Sequence, residues 1–438
     1  MFDWIRKGLF GKQPEVDPYD QCVIEFIEEC KRQGCVPASY NHQARSFQLD
    51  DGDAGGRVVR LDNLFANWLP LDPHGRAEEI AHFVLSIKES AKTAAISPET
   101  LPDQLMPGIR GRALIGNALL QHWIAGAPID ATTEIAWLPF EGDLAACVMH
   151  DKRLTMAPMA RANLAFADLP IDRAMTKALA NFRARMPEAT FESVGNGVFA
   201  CTEFLDHQSA LLLLEPGKDY PLPPIEGAPV ALLPERNAFY LTGSDNIAGL
   251  TTLLDLAQMA RQRPHFCSSM MLQWTGGRWS EFHFDRDSVN GGRQRNISLD
   301  QLNVDYGFQK ELLDQHHQLR GLDIFVAPLM IFQKEDDEFV SVAALPSAVI
   351  GTLLPVADRL SFVKQVVDPR TGEPQQGASD IVDVAWSEAM EIVGHLFEPV
   401  DHLYPPRFRA QGFPDADAWA RLKAAQATYL TGPTTASN

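Results

Sequence analysis

The chain predicts an α+β protein of recurring antiparallel hairpins packed with helices, in two or three layered subdomains. Three observations lead there. The runs Ile135–Pro139, Val230–Pro234 and Ile350–Pro355 each end in a Leu-Pro break or the like and are followed by a second apolar run, Leu144–Val148, Ala238–Leu241 and Leu360–Val363. Proline fixes φ and offers no ladder donor, so the pattern reads as strand, turn, strand. Helical periodicities alternate with these pairs, which favours α+β over a barrel or doubly wound sheet. Finally, 438 residues exceed the roughly 250–300 that one core supports.

Taken in order, Asp17-Pro18 is an N-cap and N1 pair, after which Val23, Phe26, Ile27 and Cys30 trace one apolar face up to Gly34. Ser46–Leu49 and Val58–Leu61 form a hairpin, and Ala77, Ile80, Ala81, Val84 and Ile87 mark a helix. Residues 90–108 hold three prolines and small polar residues and read as a linker. Val230–Pro234 with Ala238–Leu241 gives a second hairpin, and Asp245 caps a helix through Ile247, Leu250, Leu254 and Ala257. Residues 266–284 read as two strands, 285–299 as a polar loop, 305–318 and 384–397 as helices. The expected division is 1–105, 109–262, 265–430 and a polar tail at 431–438.

Fifty-seven acidic against 38 basic residues give a formal charge of -19. That field repels phosphate backbones, and Arg293–Gln294–Arg295 is too short to override it, so a nucleic-acid partner is not expected. Cysteines 22, 30, 35, 147, 201 and 267 form no CxxC, and reduced cytoplasmic protein is the expectation. At residues 2–10, Phe2, Ile5 and Leu9 share a helical face, which suits peripheral membrane contact or docking on a protein surface.

Ile135–Pro139, Gly142–Leu144, Ala157–Asn163, Leu211–Leu214 and Gly227–Asn237, with Val59–Phe65, resemble the uncharacterised bacterial YtpQ-like family, mainly over residues 55–262. The resemblance implies a shared fold unit and no reaction. The family commonly carries Arg-Asp after its proline turn, where this chain has Arg236–Asn237.

The richest chemical constellation is Trp279–Asp285. As a strand, it places Trp279, Glu281, His283 and Asp285 on one face, with Phe282 and Phe284 toward a core. His283 with Glu281 or Asp285 offers metal ligands or an acid–base set; a half-buried strand with a solvated polar face is the plainer reading. Arg236 and Asn237, with a donor fork and an amide, are candidate ligand-binding residues together with Trp279. There is no GxGxxG, P-loop, HExxH or GxSxG motif. The leading expectation is a non-catalytic protein- or peptide-binding or regulatory module that needs no cofactor. The alternatives are a hydrolase using His283, Glu281 and Asp285, with or without a divalent metal, and a peripheral membrane-associated partner protein.

Overall fold

Asp17 and Pro18 open the first helix as their types predict. The Asp17 carboxylate accepts the Tyr19 N–H at 2.9 Å, and α1 (Pro18–Arg32) buries Val23, Phe26 and Cys30. The chain is described from a computed structural model over residues 17–431, except 36, 42–45, 50–56, 92–95, 127–129, 131, 153–154, 186–187, 202–203, 262, 264, 334–337, 350 and 368–373. Residues 2–10 and 432–438 therefore lie outside the described residues. Strands β1 (Pro37–Asn41), β2 (Ser46–Leu49) and β3 (Arg57–Arg60) pair antiparallel. Helices α2 (Asp62–Trp68) and α3 (Pro73–Ala91) join α1 over them, and Phe26, Phe47, Trp68 and Val84 meet in the core between.

The next segment corrects the linker reading. Leu105–Gly111 is β4, buried along its whole length and paired with β6 (Leu144–Lys152). Pro107 and two glycines disguise it in the sequence. They are tolerated because β4 is an edge strand and Pro107 need not donate on its outer side. Helix α4 (Arg112–Ile124) follows at once, then β5 (Trp137–Pro139), β6 and β7 (Thr155–Pro158), giving the order β4-β6-β5 with β7 also on β6. Helices α5 (Arg161–Phe166) and α6 (Ile171–Arg185) follow.

A third sheet is antiparallel, with strands β8 (Phe191–Gly195), β9 (Val198–Cys201), β10 (Pro229–Glu235), β11 (Ala238–Gly243), β12 (Met271–Thr275) and β13 (Arg278–Glu281). Their order is β13-β12-β10-β11-β9-β8. Period two sends Ala231 and Leu233 of β10 to the core shared with β6. Val230 and Leu232 face the opposite way and meet Leu250 and Leu254 of α7 (Ile247–Ala260). Both faces are covered, so β10 is a continuous apolar run. Asn246, not Asp245, caps α7, accepting the Gly249 N–H at 2.9 Å. The expected boundary near 262–265 falls inside this sheet, because β12 is hydrogen-bonded to β10.

Most of the polar stretch 285–299 is also helical, from residue 289 onward. It belongs to α8 (Val289–Arg320), 32 residues long and so about 48 Å. Ser288 caps it and Gly321, at φ 64°, ends it. The polar side chains that looked like loop have tertiary partners: Gln294 donates to Phe282 O at 2.7 Å and Arg295 meets Asp358 at 2.8 Å. Gly291 is required, since a Cβ there would lie 2.0 Å from Asp285 O.

The C-terminal part holds β14 (Met330–Gln333), β15 (Phe339–Pro346), β17 (Arg359–Val367) and β18 (Pro374–Ala385), paired in that order. A small sheet, β16-β20-β19, comes from Leu353–Pro355, Arg407–Ala410 and Phe397–Val400. Helices α9 (Trp386–Val393) and α10 (Ala416–Thr431) pack on this unit through Ala389, Val393, Trp419 and Leu422.

The Leu-Pro pattern succeeds twice and fails once. β5–β6 and β10–β11 are antiparallel hairpins, with a bulge around Pro234. At Pro355 the chain changes sheets instead: β16 pairs with β20, and β17 runs parallel to β15. A local apolar-Pro-polar-apolar signal cannot state which strand the second run will join.

A candidate binding cleft

Helix α4 begins where β4 ends, with Gly111 as its N-cap. A Cβ at Gly111 would sit 2.7 Å from Cys267 O, so the chain passes here without a side chain. The Arg112 N–H donates to Asp143 O at 2.7 Å, tying the helix start to the loop before β6. One turn on, a Cβ at Gly116 would lie 3.1 Å from Tyr404 O. The Tyr404 segment therefore packs directly against α4.

That segment is held from its other side by α8. Tyr306 Oη donates to Pro406 O at 2.6 Å and Gln309 Nε2 to Pro405 O at 2.8 Å. The outcome is a cleft of about 480 Å³ between α4, β5, the start of α5 and the Tyr404 segment. Ile115, Leu119, Ile135 and Leu403 line its apolar part. The polar part carries Arg112, Arg161, Glu134, Thr133 and His402.

Arg112 is the unusual group. Its guanidinium carbon lies 4.2 Å from the Tyr404 ring centre and 5.7 Å from that of Trp137. Its side chain makes one long hydrogen bond, 3.4 Å to Gly142 O, and no ion pair among the described residues. Arg161, across the cleft, is 3.3 Å from the Glu134 carboxylate. A second cleft of about 460 Å³, between α7, α8, β14 and β15, has its arginines committed: Arg261 to Asp300, and Arg293 to Asp255 at 2.7 Å.

Behind Tyr404 lie two carboxylates. Ser268 Oγ is within 2.7 and 2.9 Å of the two Asp143 oxygens, and Gln301 Nε2 donates to Asp143 Oδ2 at 2.5 Å. Ser269 fixes Gln301 through its N–H and hydroxyl, at 2.9 and 2.6 Å. Desolvation pushes Asp143 up to about 6, against the pull of these hydrogen bonds. Asp305 rises to about 7 through desolvation and then the nearby Asp143 charge. The Tyr404 phenol is raised as well, chiefly by burial and then by Asp143, while Arg112 opposes the rise.

The structure places the other candidates elsewhere. Trp279 is buried and stacks edge-on to Trp274 at 5.4 Å. β13 ends at Glu281, so the alternating face is not carried on to His283 and Asp285 as strand. His283 Nε2 is 3.7 Å from Glu281 Oε2, and both side chains are largely exposed. Asp285 is used in the turn before α8, accepting from the Asp287 N–H at 3.2 Å. Phe282 and Phe284 do pack on a core, as the alternation predicts. Arg236 and Asn237 form the β10–β11 turn, with the Arg236 N–H donating to His265 O at 3.3 Å, and neither lines the cleft.

Among the described residues no three His, Cys, Asp or Glu side chains converge as a metal cage, and no helix is long and apolar enough to cross a membrane. Sequence reasoning singled out neither Arg112 nor Asp305, and it reached Asp143 only within the Gly142–Leu144 stretch of a family resemblance. No family model, curated relative or solved structure matches the chain, so the YtpQ-like resemblance remains an expectation from sequence.

Proposed function

We propose that the protein is a non-catalytic protein- or peptide-binding module and that the cleft beside Tyr404 is its binding site. One observation carries this reading: Arg112 is held against aromatic faces at the cleft wall while its charge has no ion-pair partner among the described residues. A guanidinium stacked in this way loses little freedom on accepting a ligand and keeps its in-plane donors available. The apolar residues beside it supply contact area of the kind that small recognition pockets use.

A peptide-display selection on the purified chain tests the reading. Binders selected on the wild type are expected to lose at least tenfold in affinity for Leu119→Trp, which fills the cleft from α4. Binders that hold equally well to both proteins would place recognition on another surface. Specific turnover of a selected peptide by the purified chain would replace the non-catalytic reading with an enzymatic one.

A further inference from the structure

Resting on that reading of the cleft, we propose that its ligand is the C-terminal carboxylate of a peptide whose last side chain is apolar. The guanidinium of Arg112 presents coplanar N–H donors that match the two oxygens of a carboxylate, and stacking on Tyr404 at 4.2 Å covers a face of the group, not its edge. The cleft's other guanidinium, Arg161, pairs with Glu134 through Nε at 3.3 Å, which consumes the second positive charge.

Local charge selects the kind of anion. Arg112 and Arg161 against Glu134 leave one net positive charge at the cleft, and the Asp143–Asp305 pair stands behind Tyr404. A monoanion is matched by that arrangement. A dianionic phosphate would carry a second charge that the cleft's arginines, one of them paired with Glu134, do not offset. Ile115, Leu119, Ile135 and Leu403 stand on the same cleft wall system. A carboxylate alone would leave them wet, whereas a terminal apolar side chain beside the carboxylate would cover them. Burying such a side chain takes apolar surface out of water and so favours binding. Capture of a chain terminus by fixed donors is an established mode of peptide recognition.

The test is calorimetric titration of the full chain with an N-acetylated pentapeptide ending in leucine, as the free acid and as the C-terminal amide. The acid is expected to bind at least tenfold more tightly than the amide. Arg112→Gln should bring the acid down to the amide's affinity, and Arg112→Lys should lie between, because lysine keeps the charge and loses the planar fork. Unfolding midpoints of the variants check that the cleft survives. Should Arg112→Gln fail to fold, the acid-to-amide ratio on the wild type decides alone.

Equal affinity for acid and amide, or no binding of either, would overturn the proposal. N-acetyl-leucine binding as tightly as the pentapeptide would assign the site to a free small acid instead. Inorganic phosphate displacing the peptide at lower concentration than N-acetyl-leucine would assign it to phosphate. Loss of display-selected binders in Leu119→Trp, together with equal acid and amide affinity, would remove the carboxylate proposal and leave the binding module standing.

Discussion

Among the described residues two arginines lie against tyrosine rings, and their surroundings differ. Arg407 sits 4.9 Å from the Tyr306 ring centre and is 1% exposed. Its donors are consumed: Nε by Gln309 at 2.5 Å, Nη1 by Ala327 O and Leu353 O, and Nη2 by Tyr306 O at 3.3 Å. Burial pulls it down to about 10, and no carboxylate pairs with it among the described residues. Arg112 has the stacking without the acceptors. The first guanidinium is a bracket that joins α8, β16 and β20. The second has capacity left over. Unused donors, not the presence of an arginine on an aromatic ring, distinguish a candidate recognition group from a structural one.

The largest test of this contrast is Arg407→Met. It would leave three buried carbonyls and Gln309 short of donors, and should cost about 3 kcal/mol or more in denaturant unfolding. Arg112→Gln, which strips one long hydrogen bond and the stacking on Tyr404, should lower the same unfolding free energy by no more than about 1 kcal/mol. Equal losses would erase the distinction between the two sites.

A second measurement concerns the acids behind Tyr404. Asp305 rises from 3.8 to about 7 in the fold, so the folded chain holds that proton more tightly than the unfolded one. The associated stability is present below pH 3.8 and is lost as pH climbs through about 7. Asp305→Asn removes the penalty on the charged form. It should stabilise the protein at pH 8 by about 2–4 kcal/mol relative to wild type and by little at pH 4. A pH-independent difference would show that Asp305 is not held protonated by burial and the Asp143 charge.

Smaller effects sharpen the picture. Glu134→Gln frees Arg161, leaving two uncommitted guanidiniums in the cleft. It should raise affinity for the acidic pentapeptide by roughly two- to fivefold while altering stability by less than about 1 kcal/mol. His283→Ala removes an exposed ring with one 3.7 Å contact. Its unfolding free energy should stay within about 0.5 kcal/mol of wild type.

How much of this was legible beforehand depends on the range of the interactions involved. The α1 cap at Asp17, the apolar face of Val23, Phe26 and Cys30, and the hairpins at Pro139 and Pro234 are read from neighbours a few residues apart. Leu105–Gly111 was hidden because proline and glycine are punished in a central strand but not at an edge, and strand order is not a local property. The first half of α8 was hidden because its polar residues are satisfied by Phe282 and Asp358, distant in sequence. Glu281, His283 and Asp285 drew attention through alternation alone, which supplies a direction without a wall opposite.

Local chemistry, then, determined which segments were helix or strand and which faces were greasy, since caps, turn residues and periodicity act within a few residues. Tertiary structure alone decided that Arg112, Glu134, Trp137, Arg161 and Tyr404 share one cleft, and that Asp143 and Asp305 share one desolvated corner. These groups span more than 290 positions of the chain. They meet because α8 fixes Pro405 and Pro406 while glycines 111 and 116 let backbones approach. Desolvation and electrostatic coupling exist only once such an enclosure has formed.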